Sequence, residues 1–269
     1  MAVRIVTDSA SDLPQDICDE LGIEVVSLTI RFGDAEYVDR KELSTEDFWR
    51  KLEASSVLPE TAAPSVGAFE ETFRRLADAG ADRLMQRMPS AQVAAKALDG
   101  LCPIAIVDSK SASMGIGNLV LHAAARASEG ADLDTIVREV EERVGRQHLL
   151  AALDTLEYLR KGGRIGGAKA MLGSMLSIKP IISVTDGAVD EAGKVRTRSK
   201  ALRFIVDRLP QGPVERIAVL HAGAPDIEEF LAMVRQRVSA TDIVVGNIGP
   251  VIGVHTGPRV LGVGWIEAG

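Results

Sequence analysis

Residues 3–22 read "VRIVTDSASDLPQDICDELG". A short, β-branched run gives way to Thr7, Asp8 and Ser9, the pattern of a buried strand that ends in polar residues. A helix follows, with Ser11 or Asp12 as its N-cap, Pro14 early in its first turn and Gly22 as its stop. The same unit recurs along the first half. "EVVSLTIRF" predicts a second strand, and "STEDFWRKLEAS" opens on an S-x-x-D box before a helix. "TAAPSVGAFEETFRRLADAG" predicts a loop and a helix ending at Gly80. "SAQVAAKALDG" predicts a helix, "CPIAIVDSK" a strand, and "MGIGNLVLHAAARASEG" a helix introduced by glycines. Strands alternating with helices argue for a parallel, doubly wound sheet.

The pattern changes after "DLDTIVREVEERVGRQ". "HLLAALDTL", "KPIISVTDGAVD", "VERIAVLHAG", "DIVVGNIGPVIGVHTG" and "VLGVGWIE" are strand-like, several of them joined by turns rather than helices. "VTDGAVDEAGKVRTR" carries the D-G of an antiparallel hairpin. The fold class expected is therefore α/β: a doubly wound parallel-sheet domain over residues 1–148 and a mixed-sheet α+β domain over 149–269, with a cleft between them.

Bulk properties narrow the function. A chain of 269 residues buries a core without disulfides or metal. Cys18 and Cys102 form no CxxC pair, so a disulfide framework or zinc site is not expected. A net charge of −7 with 4% aromatic residues lacks the basic face and stacking rings that nucleic acid requires. Asp8 interrupts the N-terminus too early for a secretory signal, and the apolar runs are too short or glycine-broken to span a bilayer. A soluble, cytoplasmic protein with no stable membrane insertion is the expectation.

Three loops concentrate hydroxyls, glycine and charge. In "ETAAPSVG", Ser65 is placed to cap the following helix, whereas Thr61 lies upstream of any capping position. "EYLRKGGRIGG" (157–167) sets Arg160, Lys161 and Arg164 among four glycines in an acidic chain. It lacks the P-loop spacing, and Gly162 and Gly163 with the first two cations suit a helix C-terminus. Arg164 is left over by that reading. In "GVHTGPRVLGVGW", His255 follows an apolar, strand-like run and precedes a T-G-P turn. There is no HExxH and no GxSxG elbow, so neither metal chemistry nor serine hydrolysis is indicated.

Taken in order, "IVTDSASDLP", "TAAPS" (61–65), "DSKSASMGIG" (108–117), "LEYLRKGGRI" (156–165), "IKPII" (178–182) and "VHTGP" (254–258) resemble the DegV family from residue 3 to the C-terminus. Its members are bacterial fatty-acid-binding proteins, the carrier subunits of fatty-acid kinase. The resemblance implies a non-catalytic protein without cofactor that holds a long-chain fatty acid of the palmitate or oleate class. The tail lies in a buried tunnel, and the carboxylate faces a separate kinase that makes the acyl phosphate. Burying about 14 methylenes at roughly 0.8 kcal/mol each gives on the order of 11 kcal/mol as an upper bound. A desolvated carboxylate cancels much of this unless donors and a cation meet it.

By resemblance, Thr61 donates to the carboxylate, with Arg164, His255, Thr256 and Gly257 of the GGRI and HTGP loops around the head group and Ser65 in the "TAAPS" loop. Arg196, Arg198 and Lys200 in "KVRTRSKAL" match a kinase-docking segment, or form a solvated hairpin edge. One segment departs from the pattern. Relatives carry S-S-x-L-S-G-T, with a second serine ligand, where this chain runs "GADRLMQRMPSAQVAAKAL". "DRLMQRM" reads as too polar for a central strand, and Ser90 either substitutes for the missing serine or caps its helix. Two alternatives stay open: a stand-alone enzyme acting on a small carboxylated or phosphorylated metabolite, and a DegV-like scaffold that has lost its lipid.

Overall fold

The computed structural model describes residues 3–80, 82–86, 89–97, 103–174, 178–239 and 242–269. β1 (Val3–Asp8) is the expected buried strand, and Asp8 caps a 3-10 turn over Ser9–Ser11 by accepting the Ala10 N–H at 2.8 Å. α1 (Gln15–Leu21) follows Pro14 and stops at Gly22. Neither Ser11 nor Asp12 caps it: Asp12 adopts a left-handed backbone, φ 52°, that turns its carboxylate inward to other partners.

The run expected as one second strand divides. β2 (Glu24–Val26) pairs in parallel with β1, whereas β3 (Thr29–Phe32) joins β4 (Ala35–Val38) and β5 (Glu60–Ala62) in a separate antiparallel sheet. The break falls where Leu28 donates its N–H to Ser9 Oγ (3.1 Å) and accepts the Asp39 N–H (2.9 Å) instead of continuing the ladder. Thr61 therefore stands in a short strand, not in the loop expected.

α2 (Thr45–Ala54) and α3 (Val66–Asp78) start where their hydroxyl caps predict, with Ser44 accepting the Asp47 N–H and Ser65 the Ala68 N–H, each at 3.1 Å. β6 (Asp82–Gln86), α4 (Pro89–Ala97) and β7 (Ile104–Val107) complete a wholly parallel sheet of order β2-β1-β6-β7. The polar "DRLMQ" thus forms a central strand, contrary to expectation. Ladders on both sides decide that position more than side-chain propensity does.

α5 (Met114–Ser128) is buried continuously from Met114 to Ala124 because it lies between this sheet and the next, while α6 (Leu133–Val144), capped by Asp132, covers it with one apolar stripe. The second sheet begins at β8 (Gln147–Ala152), which runs into α7 (Glu157–Lys161) and a 3-10 stretch, Gly166–Ser174. β9 (Lys179–Thr185) and β10 (Ala188–Val195) form the expected hairpin around Asp186 and Gly187. Then come α8 (Arg198–Arg208), β11 (Val214–His221), α9 (Ile227–Arg237), β12 (Ile243–Asn247), α10 (Pro250–Thr256) and β13 (Leu261–Glu267).

The sheet order is β10-β9-β8-β13-β11-β12, antiparallel except for β11 with β12. "GPVIGVHTG" is a helix rather than the end of a strand. Pro250 at its first position brings a preset φ, and Gly257 (φ 75°) ends it. One apolar core reaches from Val3 to Ile266 through α5, so the two large sheets share an interior. Among the described residues no helix is long and apolar enough to cross a membrane, and no group of acidic, histidine or cysteine side chains could hold a metal. Cys18 is buried and free, and Cys102 lies outside the described residues.

Candidate functional site

A cavity of about 230 Å³ lies between α10 and the inner face of the six-stranded sheet, beside Ser111–Ser113 just ahead of α5. Its walls are aliphatic: Leu149 and Ala151 from β8, Ile182 and Val184 from β9, Leu220 from β11 and Ile252 from α10. Polar groups gather where Arg164, His255 and Thr256 line it. This is strand and helix alternation at work: Leu149 and Ala151 share one face of β8, and Leu150 and Ala152 turn to a different core on the other.

His255, in the last turn of α10, brings its Nε2 to 3.4 Å from Thr61 Oγ1 on β5, a contact long enough to leave both groups with bonding capacity. The other ring nitrogen, Nδ1, is buried without a partner among the described residues. Burial first, and the positive charge of Arg164 second, push the His255 pKa down to about 4, so the imidazole is neutral at physiological pH. The ring rests against Gly162, where an added Cβ would overlap Nδ1; that glycine makes room for the histidine. Arg164 closes α7 by donating its backbone N–H to Leu159 O at 2.9 Å, and its exposed side chain has no carboxylate partner among the described residues. A neutral donor–acceptor pair beside one unpaired guanidinium suits a carboxylate whose attached chain is apolar.

The family model described as "Uncharacterised protein, DegV family" matches residues 2–268. The chain belongs to the DegV family. A DegV domain-containing protein of Streptomyces coelicolor is 37% identical, with 97% of each chain covered. Among solved structures, a DegV family protein from Thermus thermophilus, described by its fatty acid binding, superposes at a TM-score of 0.89 with 31% identity over 100% of both chains. A fatty acid binding DegV family protein from Streptococcus agalactiae gives 0.88 at 26% identity, again over 100% of both.

Within this DegV fold the residues singled out from sequence fall into two groups. Arg164, His255 and Thr256 line the cavity, and Thr61 reaches it only through its contact with His255. The Thr256 hydroxyl also bonds back to the Ile252 carbonyl at 3.2 Å. Ser65 and Gly257 serve the backbone instead: Ser65 caps α3, and Gly257 ends α10 against the Tyr158 ring, which a Cβ would strike. Ser90 falls in the first turn of α4, and its side chain is outside the described residues.

Of the docking segment, Arg196 and Lys200 are exposed. Arg198 is drawn inward, with 15% of its side chain exposed, by Asp226 at 2.5 and 2.7 Å. Sequence reasoning assigned no role to the cavity's aliphatic walls or to Ser111, Ala112 and Ser113, although "DSKSASMGIG" was among the marks of resemblance. The alternation in "HLLAALD" was the available signal for the walls.

Proposed function

We propose that this chain binds one long-chain fatty acid of the palmitate or oleate class. The tail enters the aliphatic cavity, and the carboxylate meets Thr61, His255 and Arg164. The observation that carries this reading is an apolar cavity lined by an imidazole, itself in contact with the Thr61 hydroxyl, and by a guanidinium with no carboxylate partner among the described residues. These groups come from three distant segments of the chain. The fatty acid binding of the Thermus thermophilus and Streptococcus agalactiae relatives supports it. In this reading the chain works in the cytoplasm as two domains, 1–148 and 149–269, with the ligand between them. It performs no catalysis alone, and it offers the carboxylate to the catalytic subunit of a fatty-acid kinase for acyl-phosphate formation. Arg196 and Lys200, exposed beside the β9–β10 hairpin, are the docking cations; Arg198 holds its own fold through Asp226.

Native mass spectrometry of the protein as isolated tests the binding. One fatty acid per chain is expected, or stoichiometric uptake of added palmitate or oleate. A protein that is empty and ignores both acids overturns the reading. Adding kinase and ATP to the loaded protein is expected to give acyl phosphate, and none from the protein without kinase.

A further inference from the structure

The 230 Å³ cavity is small for a ligand site, which ordinarily measures roughly 300–1,000 Å³. The sheet beside it is not closed. β8 runs from Gln147 to Ala152, yet only Leu150, Ala151 and Ala152 pair with β9. Gln147 and His148, like Leu149, keep a ladder on the β13 side alone, while Val184 and Thr185 keep theirs on the β10 side alone. The two strands part below Leu150 and Ser183. In that gap opens a cleft of about 890 Å³ whose apolar lining includes Val107, Val144, Leu150 and Trp265. Leu149 and Val184 line both spaces. Leu149 stands toward the end of β8 away from α7, two strand positions or about 7 Å from Ala151.

We infer that a long acyl chain passes between Leu149 and Val184 and lays its distal carbons in the cleft where β8 and β9 separate, so that these two side chains set the chain length held. This rests on the fatty-acid reading above. The cleft's remaining lining agrees with a tail that arrives late and partly solvated. Asp108, Lys110, Glu141, Asp186, Arg208 and Glu267 also line the cleft, Lys110 and Asp186 paired at 3.2 Å on the surface, while Gln147 is tied to the Ser109 carbonyl. Among the described residues, Arg164 is the one charged side chain that lines the cavity itself.

The test offers delipidated protein an equimolar mixture of decanoate and stearate and reads both by native mass spectrometry. Val184→Phe narrows the passage from the strand that has no β8 partner there, and Leu149→Phe narrows it from the other side. Each variant is expected to lower the stearate-to-decanoate ratio about tenfold or more, which is what two stranded methylenes are worth. An unchanged ratio in a variant that melts like wild type overturns the passage but leaves fatty-acid binding standing. Wild type that takes up neither acid overturns the binding reading and the passage with it.

A second measurement does not depend on how the narrowed variants fold. In Trp49→Phe protein, stearate brominated on its terminal carbon is expected to quench Trp265 emission, and terminally brominated decanoate to leave it unchanged. Bound bromostearate that does not quench Trp265 overturns the inference.

Discussion

Asp12 and the Thr61–His255 pair each join the start of the chain to its end, and they do so in opposite ways. Asp12 is 2% exposed; its Oδ2 accepts the Ser113 hydroxyl at 2.6 Å, and its Oδ1 accepts the Gly249 N–H at 2.9 Å. One carboxylate thus holds the β1–α1 corner against the first residues of both α5 and α10. Thr61 and His255 meet at 3.4 Å, and the other, buried ring nitrogen of His255 has no partner among the described residues. Buried polar groups that hold a fold together are saturated from within the chain, because each unpaired one costs about 1–3 kcal/mol. Groups left short of partners at a cavity keep bonding capacity that a ligand can use.

Breaking the saturated member should have the largest effect. Asp12→Ala strands the Ser113 hydroxyl and the Gly249 N–H and is expected to cost about 3 kcal/mol of stability in urea unfolding. Asp12→Asn, which keeps one acceptor, should lose less. Thr61→Ala is the reverse experiment: fatty-acid retention should fall about tenfold, while stability moves by less than about 0.5 kcal/mol. A Thr61→Ala protein that is badly destabilised but still loaded would erase the distinction between the two regions.

The smallest effect is a pair of opposed pH slopes. Burial raises the Asp12 carboxyl from 3.8 to about 7, against the pull of Ser113, Gly249 and Arg40. Its folded-state pKa lies above its unfolded one, so its contribution is most favourable below pH 3.8 and is lost as pH rises toward 7. Asp8, raised to about 6, acts in the same sense. His255 is depressed from 6.5 to about 4, so it has no effect above pH 6.5 and costs stability as pH falls toward 4. Thermal melts between these limits should show stability dropping more steeply with acid in Asp12→Asn than in wild type. The drop should be less steep in His255→Gln.

The alternation of strand and helix, the Ser44 and Ser65 caps and the D-G hairpin were all legible because each is a local matter of periodicity or turn chemistry. The misreadings share a cause. Nothing in "EVVSLTIRF" announces that Leu28 bonds to Ser9 and Asp39, and nothing in "DRLMQ" announces a ladder on either side; tertiary pairing decided both. "PVIGVHT" looks like strand by its β-branched residues, and Pro250 and Gly257 at its ends were the overlooked helix signals. The site was legible only as motifs. Residue types singled out Thr61, Arg164 and His255, but no spacing rule places position 61 beside position 255. The cavity walls look like any other core residues until the space between them is seen.

Thr61 and His255 both ride on the small three-stranded sheet and the helix packed over it, where Ile30, Phe48, Val251 and Val254 form a core of their own. The thickness of that layer is set at Gly253, where an added methyl would press on the Phe48 and Trp49 rings at 2.7 Å. A larger residue there would act as a shim, jacking α10 away from α2 and resetting the gap between hydroxyl and imidazole without altering either group. The spacing of Thr61 and His255 is thereby adjustable from a position outside the cavity's lining.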